Sequence, residues 1–384
     1  MKKFLLPLVC LCALNYGYAQ HDVYALTGKS STHVMFNDFR AVDLRTGSSG
    51  TVILNADQVQ KVHSQILNTD ISESRHSVHH AQSPAIASLA YAGNHLFFSP
   101  MFSPNIYVLN TQNKKITLVE NNAIQTSACQ VATHITRMAA GADGHVYAID
   151  NGASQLIRIS EENGKYTVTN MGKIQDRSPD PGQSLQTPAA GYGGDMVADA
   201  AGNLYILAAS GNVFSVSPKT MSASFVGSIT GLSEGYSLNG AAVTADGHIV
   251  VGSAKGQGFY EVDFATLRAK PLNNGINLNI YDLASKYFLD DLNKNVTADF
   301  AGVRVYPTKV KDGEVFIRTS DDKMKLFFVE LYDASGVKVL SQSANIQRSG
   351  TASVSVHNLK TGLYILNVSN EKGDRLSSAK IIIE

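Results

Sequence analysis

Cysteine is nearly missing from this chain, and two of its three copies, Cys10 and Cys12, lie close to its start. Tryptophan is absent altogether. Charge is sparse at 17% of residues and sums to zero, without basic runs, which argues against a nucleic-acid partner. No segment beyond the first residues approaches the roughly 18 uninterrupted apolar residues that a membrane-spanning helix needs. Periodic helical patterning is also scarce. Its one candidate, Gln58–Leu67, is short and weak.

The start of the chain carries a different signal. Met1-Lys2-Lys3 precedes an apolar run from Phe4 to Leu14, and Gly17-Tyr18-Ala19 supplies small residues where a signal peptidase reads. Residues 1–19 are therefore expected to be a secretory signal peptide, cleaved to leave Gln20 first. Val9 and Leu11 stand where a lipoprotein signal wants a small residue, so Cys10 and Cys12 are not read as lipid anchors. Cleavage would leave one thiol, Cys129, and a net charge of about −2. One thiol excludes an internal disulfide, so stability must come from buried area. Cys129 itself is expected to be a small buried side chain, because Ala128, Gln130 and Val131 offer it no base.

What is plentiful is Tyr, Phe, Val and Ile in runs of a few residues, separated by Gly, Asn, Asp and Ser, which is a β signature. These runs also repeat. Met138–Ile149 continues to Leu156–Ile159, Met196–Leu207 to Val213–Val216, and Ala241–Val251 to Phe259–Val262. A weaker copy runs from Leu89 to Phe98 and on to Ile106–Leu109. Each unit reads strand, tight turn, strand, loop, strand, with turn dipeptides that tolerate positive φ. Repeats of roughly 45–60 residues with several antiparallel strands predict a β-propeller. Val23–Leu26 copies the second strand of a unit, and the missing first strand appears far away as Tyr281–Ala284. One blade should then join both ends of the ring. This gives five blades, or six if Asn55–Ser83 hides another. The repeat grammar resembles that of NHL/SMP-30-like and WD40-like propellers, and Gly194-Asp195-Met196 and Asn239–Ala242 resemble segments of secreted propellers that carry a C-terminal sorting tail.

The propeller is expected to span residues 20–289, followed by a linker at 290–302 and a separate unit at 303–384. Seven short alternating segments are predicted there: Val303–Tyr306, Glu314–Thr319, Lys325–Tyr332, Val337–Ser341, Ala352–Val356, Leu363–Val368 and Ser378–Ile383. That is the pattern of a small immunoglobulin-like sandwich. The Tyr306-Pro307 pair, Gly362 with Tyr364, and a last strand opening on Lys380 resemble the type A C-terminal sorting domain of the type IX secretion system of Bacteroidetes-type bacteria. Thr308-Lys309 replace the Asn-Pro that usually follows Tyr-Pro in that family. The resemblance implies export by the type IX machinery across the outer membrane, removal of the tail, and release or attachment to surface lipopolysaccharide.

Chemistry is harder to find. His76, His79 and His80, with His63 upstream, could offer imidazoles to a metal, but no carboxylate or cysteine joins them, and a solvated loop is the better reading. In a propeller the first strand of each blade lines the channel, which places Ser83, His134, Asp195, Asn239 and Asn279 near one mouth. His134, Asp195 and Asn239 there could hold calcium, another divalent ion or a polar ligand. Only Asp195 among them is charged, so polar capping of the channel is the better account. Asp143, Asp199 and Asp246 recur at equivalent places and read as turn residues. Tyr192 and Tyr236, in glycine-rich loops, could stack on a ligand or pack beneath their loops. No nucleophile elbow, HExxH, Walker or complete dinucleotide motif occurs. The leading expectation is a non-catalytic module, without a cofactor, that binds an extracellular glycan, peptide or protein. A metal-dependent hydrolase or lyase of SMP-30-like kind, using Asp195 and Asn239, is the alternative, and a structural surface component the third.

Overall fold

A computed structural model describes residues 23–289 and 303–384, apart from 29–35, 45–47, 56–59, 74–85, 102, 179, 246, 274, 312, 320–323 and 347–350. The expected signal peptide, the linker, Ser83, Asp246 and the His76, His79 and His80 cluster lie outside the described residues.

Strands form where the apolar runs predicted them, and the repeats fold alike. Met138 pairs with Ala148, Met196 with Ile206 and Ala241 with Val251, so three units share one register. Each unit turns back on itself through a glycine at positive φ, Gly144 at 85°, Gly202 at 89° and Gly247 at 82°. A β-carbon is disfavoured there, which is why the turn dipeptides were readable.

Among the described residues the first unit builds five sheets. Their innermost strands pack in a closed cycle: Ile86–Ala92, Ile135–Ala140, Asp195–Ala198, Leu238–Val243, Asn279–Ala284, and back to the first. This is a propeller. The ring closes as the sequence implied, because Val23–Gly28 pairs with Asn279–Ala284, with Ala25 opposite Leu283 and Leu26 opposite Asp282. Pairing both ends of the chain segment in one sheet leaves no gap in the cycle.

Two expectations are corrected. Gln58–Leu67 is not helical: Gln60–Ser64 is a strand that pairs with Thr69–Glu73 and, in parallel, with Ile116–Val119. The hairpin extends the second sheet to six strands. His63 belongs to that hairpin and pairs with Asp70 across it, Nδ1 to Oδ1 2.9 Å. Cys129 is exposed rather than buried, because it lies in the polar loop before Ile135 and not on a strand.

Neighbouring sheets are joined by apolar clusters between their faces and by two glutamine side chains that imitate backbone. Gln65 accepts from Tyr166 N–H and donates to its carbonyl, at 2.8 and 2.9 Å. Gln155 does the same to Gln125, both at 2.7 Å. An amide side chain carries the donor and acceptor of a peptide group, so it can satisfy a backbone segment that has no strand beside it.

The C-terminal unit is a two-sheet sandwich. All seven predicted strands are present, their ends shifted by a few residues, and Lys309–Val310 adds a short parallel pairing with the last strand. Val303, Val315, Ile317, Val329, Leu366 and Ile381 fill its core. Period-two alternation turns Tyr306 and Phe316, which pair with each other, to the opposite face of the three-stranded sheet. They meet Phe288 and join the propeller cluster that contains Tyr147 and Leu204. Arg318 lies over the Phe288 ring at 4.5 Å.

Candidate functional site

Repeat register defines a layer across the centre of the ring. Leu89, Met138, Met196, Ala241 and Leu283 line one central cavity of about 20 Å³, room for one water. The residue before each of them is Ser88, Arg137, Asp195, Gly240 or Asp282. Apart from the glycine, each of these side chains is polar and entirely buried. In four of the five inner strands a β-bulge lies immediately before this position, giving Ala87, Thr136, Asn239 and Tyr281 as the extra residues. A bulge re-aims the side chains that follow it. The fifth strand begins at Asp195 itself, after Gly193 and Gly194 at φ 65° and 79°. A β-carbon on Gly194 would stand 1.9 Å from the Leu207 carbonyl oxygen, so only glycine fits.

Asp195 is tied on both oxygens. Oδ1 accepts from Met196 N–H at 2.7 Å, and Oδ2 accepts from Ala241 N–H at 2.6 Å and Leu283 N–H at 3.2 Å. One carboxyl thus holds three of the five inner strands. It reaches Leu283 past Gly240, where a β-carbon would meet Ile280 and Leu283 at 2.8 Å and Asp282 at 2.9 Å. Gly240→Ala is therefore expected to destabilise the chain by roughly 1–3 kcal/mol through overpacking. A thermal unfolding comparison with the unaltered chain checks this.

Asp282 faces Asp195 from the closing strand. Burial, and then the neighbouring acid, push its pKa far above the ordinary carboxylate range. Burial raises Asp195 as well, to about 8, against the pull of its three amide donors. Both Asp282 oxygens are buried without a hydrogen-bond partner, which favours its protonated, neutral form. Leu89 and Leu283 N–H lie close enough to Asp282 to favour its charged form, yet neither oxygen accepts a well-formed bond from them.

Arg137 supplies the opposite charge. Its Nε donates to Gly193 O at 3.0 Å and Nη2 to Gly191 O. Burial lowers its pKa to about 10, while Asp150, Asp195 and Tyr192 hold the charge in place. Asp150 accepts from Ser154 and Gln155, and burial raises its pKa. The layer is a guanidinium beside two buried acids, of which Asp195, with both oxygens occupied, ties strands together.

The other residues singled out from sequence serve their own loops. His134 Nε2 lies 2.9 Å from Ser127 O, and Asn239 Oδ1 accepts from Ala254 N–H at 3.1 Å. Asn279 donates to Ala254 O at 2.6 Å. The inward turn of Asp195 is not shared by these side chains. Asp143 accepts from Tyr147 OH at 2.6 Å and Asp199 from Tyr205 OH at 3.1 Å, the repeated turn clamp the sequence suggested. Tyr236 packs under its loop, its OH donating to Val251 O and Gly258 O. Tyr192 is half-buried near Arg137. Among the described residues no group of three or more His, Cys, Asp or Glu side chains is placed to hold a metal, and no helix is long and apolar enough to cross a membrane. In the tail, Tyr306 and Tyr364 are buried while Lys380 is exposed; Tyr364 OH donates to Lys360 O. Pro307 follows Tyr306 after a cis peptide bond, and Gly362 opens its strand.

Residues 304–384 match the family model described as the secretion system C-terminal sorting domain. That tail marks the chain for export across the outer membrane to the cell surface or the extracellular space. A search of curated proteins found no match. Among solved structures, the chain is similar to a protein of unknown function from Bacteroides caccae. The two are 13% identical with a TM-score of 0.35, over 94% of this chain and 99% of the other. It is also similar to PorZ, described as an essential bacterial surface component of the type-IX secretion system of Porphyromonas gingivalis. There the identity is 10% and the TM-score 0.29, over 94% of this chain and 51% of that one. A third likeness is to virginiamycin B lyase from Staphylococcus aureus, at 8% identity and a TM-score of 0.33, over 94% and 96% of the chains.

Proposed function

We propose that this chain is an exported propeller that binds a glycan, peptide or protein outside the cell through loops at the rim of its ring, without turning the ligand over. The observation that carries this reading is the filled centre. Both inward-facing carboxyls are wholly buried, Asp195 is bonded to backbone, and the adjoining cavity has room for one water. A ligand of glycan or peptide size is left with the rim. The loops before the inner strands are long there, and Gln130, Val131, Gln183 and Glu234 stand exposed on them.

Arrays of glycans and peptides probed with the full chain test the reading. A positive class should lose its signal when Val131→Asp, Gln183→Ala and Glu234→Ala are combined, with the melting temperature unchanged. Binding that survives this variant, or turnover of any bound compound, sinks the proposal.

The domain plan belongs to the same reading: signal peptide 1–19, propeller 20–289, linker 290–302 and sorting tail 303–384. The surface form is expected to begin at Gln20, which N-terminal sequencing of protein shed from cells would check. A fusion of residues 303–384 behind a signal peptide should reach the surface of a type IX-competent cell. Its retention in the periplasm would refute the assignment.

A further inference from the structure

The two outer faces of the tail sandwich are unlike. The face of the three-stranded sheet is spent on the propeller, where Tyr306 and Phe316 are buried beside Phe288. Among the described residues, the outer face of the five-stranded sheet is partly open at one end, and that end is apolar where a solvated sheet should be polar. Leu363 is paired with Ile382 on the next strand, and Ile365 lies two residues along the same face; they are 36%, 38% and 38% exposed. Their strand neighbours Tyr364, Leu366, Ile381 and Ile383 alternate inward and fill the core, so this exposure does not come from a register slip. A polar border surrounds the patch. Lys380 is directly opposite Ile365, and on the other side Tyr332 donates to Glu330, which is paired with Lys338 at 2.9 Å. Three aliphatic side chains in adjoining rows with a charged rim are the composition of a protein-docking surface.

We propose that this face, centred on Leu363, Ile365 and Ile382, is where the tail docks on an apolar surface of the export machinery. The inference rests on the export reading of the tail. The occupant follows from what the tail has left to offer: its opposite face is committed to its own propeller, and the tail is the part of the chain that matches a sorting domain. Docking on Phe288 then has a use, because it holds the tail with its apolar sheet turned away from the cargo.

The test is export of the full chain in a type IX-competent cell. Ile365→Thr combined with Ile382→Thr keeps β-branched side chains on the strands while making the face polar. Leu363→Asp is a second, harsher variant. Surface protein is expected to fall roughly tenfold or more relative to the periplasmic pool in both. Val226→Thr, at an equally exposed propeller site, is expected to change nothing. Unfolding midpoints of the purified variants confirm that the fold is kept. Undiminished export of a folded double variant overturns the inference. So does a wild-type dimer that the double variant turns into a monomer without affecting export, since the occupant is then a second copy. Wild-type chain that never reaches the surface removes the export reading instead, and the inference with it.

Discussion

Asp195→Ala is expected to cost the full chain about 3–5 kcal/mol, the range for breaking a buried charged network by removing one member. The substitution leaves the Ala241 and Leu283 amides without their acceptor in a site closed to water. It also strips Arg137 of one of the acids that hold its charge. Because Leu283 belongs to the closing strand, the loss should loosen the pairing of Asn279–Ala284 with Val23–Gly28 first. Urea unfolding gives the magnitude, and hydrogen exchange at Leu26 and Leu283 gives the location. Asp195→Asn is the informative partner. Its carbonyl can still accept from the Ala241 and Leu283 amides, while its NH₂ gives up the bond from Met196 N–H. A cost of about 1–2 kcal/mol is expected for it. Equal costs for the alanine and asparagine variants would show that the two cross-strand bonds contribute little.

The architecture was open to reading because propeller repeats state their own register. Glycine at positive φ marks each hairpin, and apolar alternation marks each strand, so both the repeats and the joined ends of the ring could be found from residue types alone. Gln60–Ser64 was misjudged because a five-residue strand with four polar members carries too little pattern to beat a weak helical one. The tail was legible for the same reason as the ring, as far as its seven strands go. Its contact with Phe288 was not, since Tyr306 and Phe316 look like core residues until their alternation is set against the buried valines beside them.

The centre of the ring was legible only in part. Asp195 was singled out, but beside His134 and Asn239, which are at other depths. The bulges explain the slip: each adds a residue just before the layer, so counting from strand starts puts the wrong side chains together. Counting from the repeated Met138 and Met196 would have placed Arg137 opposite Asp195, and the ring-closing Tyr281–Ala284 segment would have added Asp282. The burial of these polar side chains has no sequence signature at all.

Burial of these acids gives the second large effect, a fall in stability as pH rises. The unfolded chain releases the Asp195 proton near its ordinary value of 3.8, while the folded chain keeps it to about 8. Between these values the folded state binds more protons, so the free energy of unfolding decreases with pH, by about 1.4 kcal/mol per unit for each extra proton held. Asp282 and Asp150 are raised as well and act in the same direction. Arg137 acts the other way and at higher pH: a guanidinium lowered to about 10 gives up its proton in the fold before the unfolded chain does, so it adds stability only as pH rises past 10, outside this window. Denaturant midpoints should therefore decline steadily from pH 5 to about pH 8, whereas carboxylates in ordinary surface ion pairs, ionised in both states above pH 5, would leave that interval flat. Asp195→Asn removes this titrating acid and should flatten the decline between pH 5 and 8. A flat profile over that interval in the unaltered chain would mean that both carboxyls are ionised in the ring, with Arg137 alone balancing them.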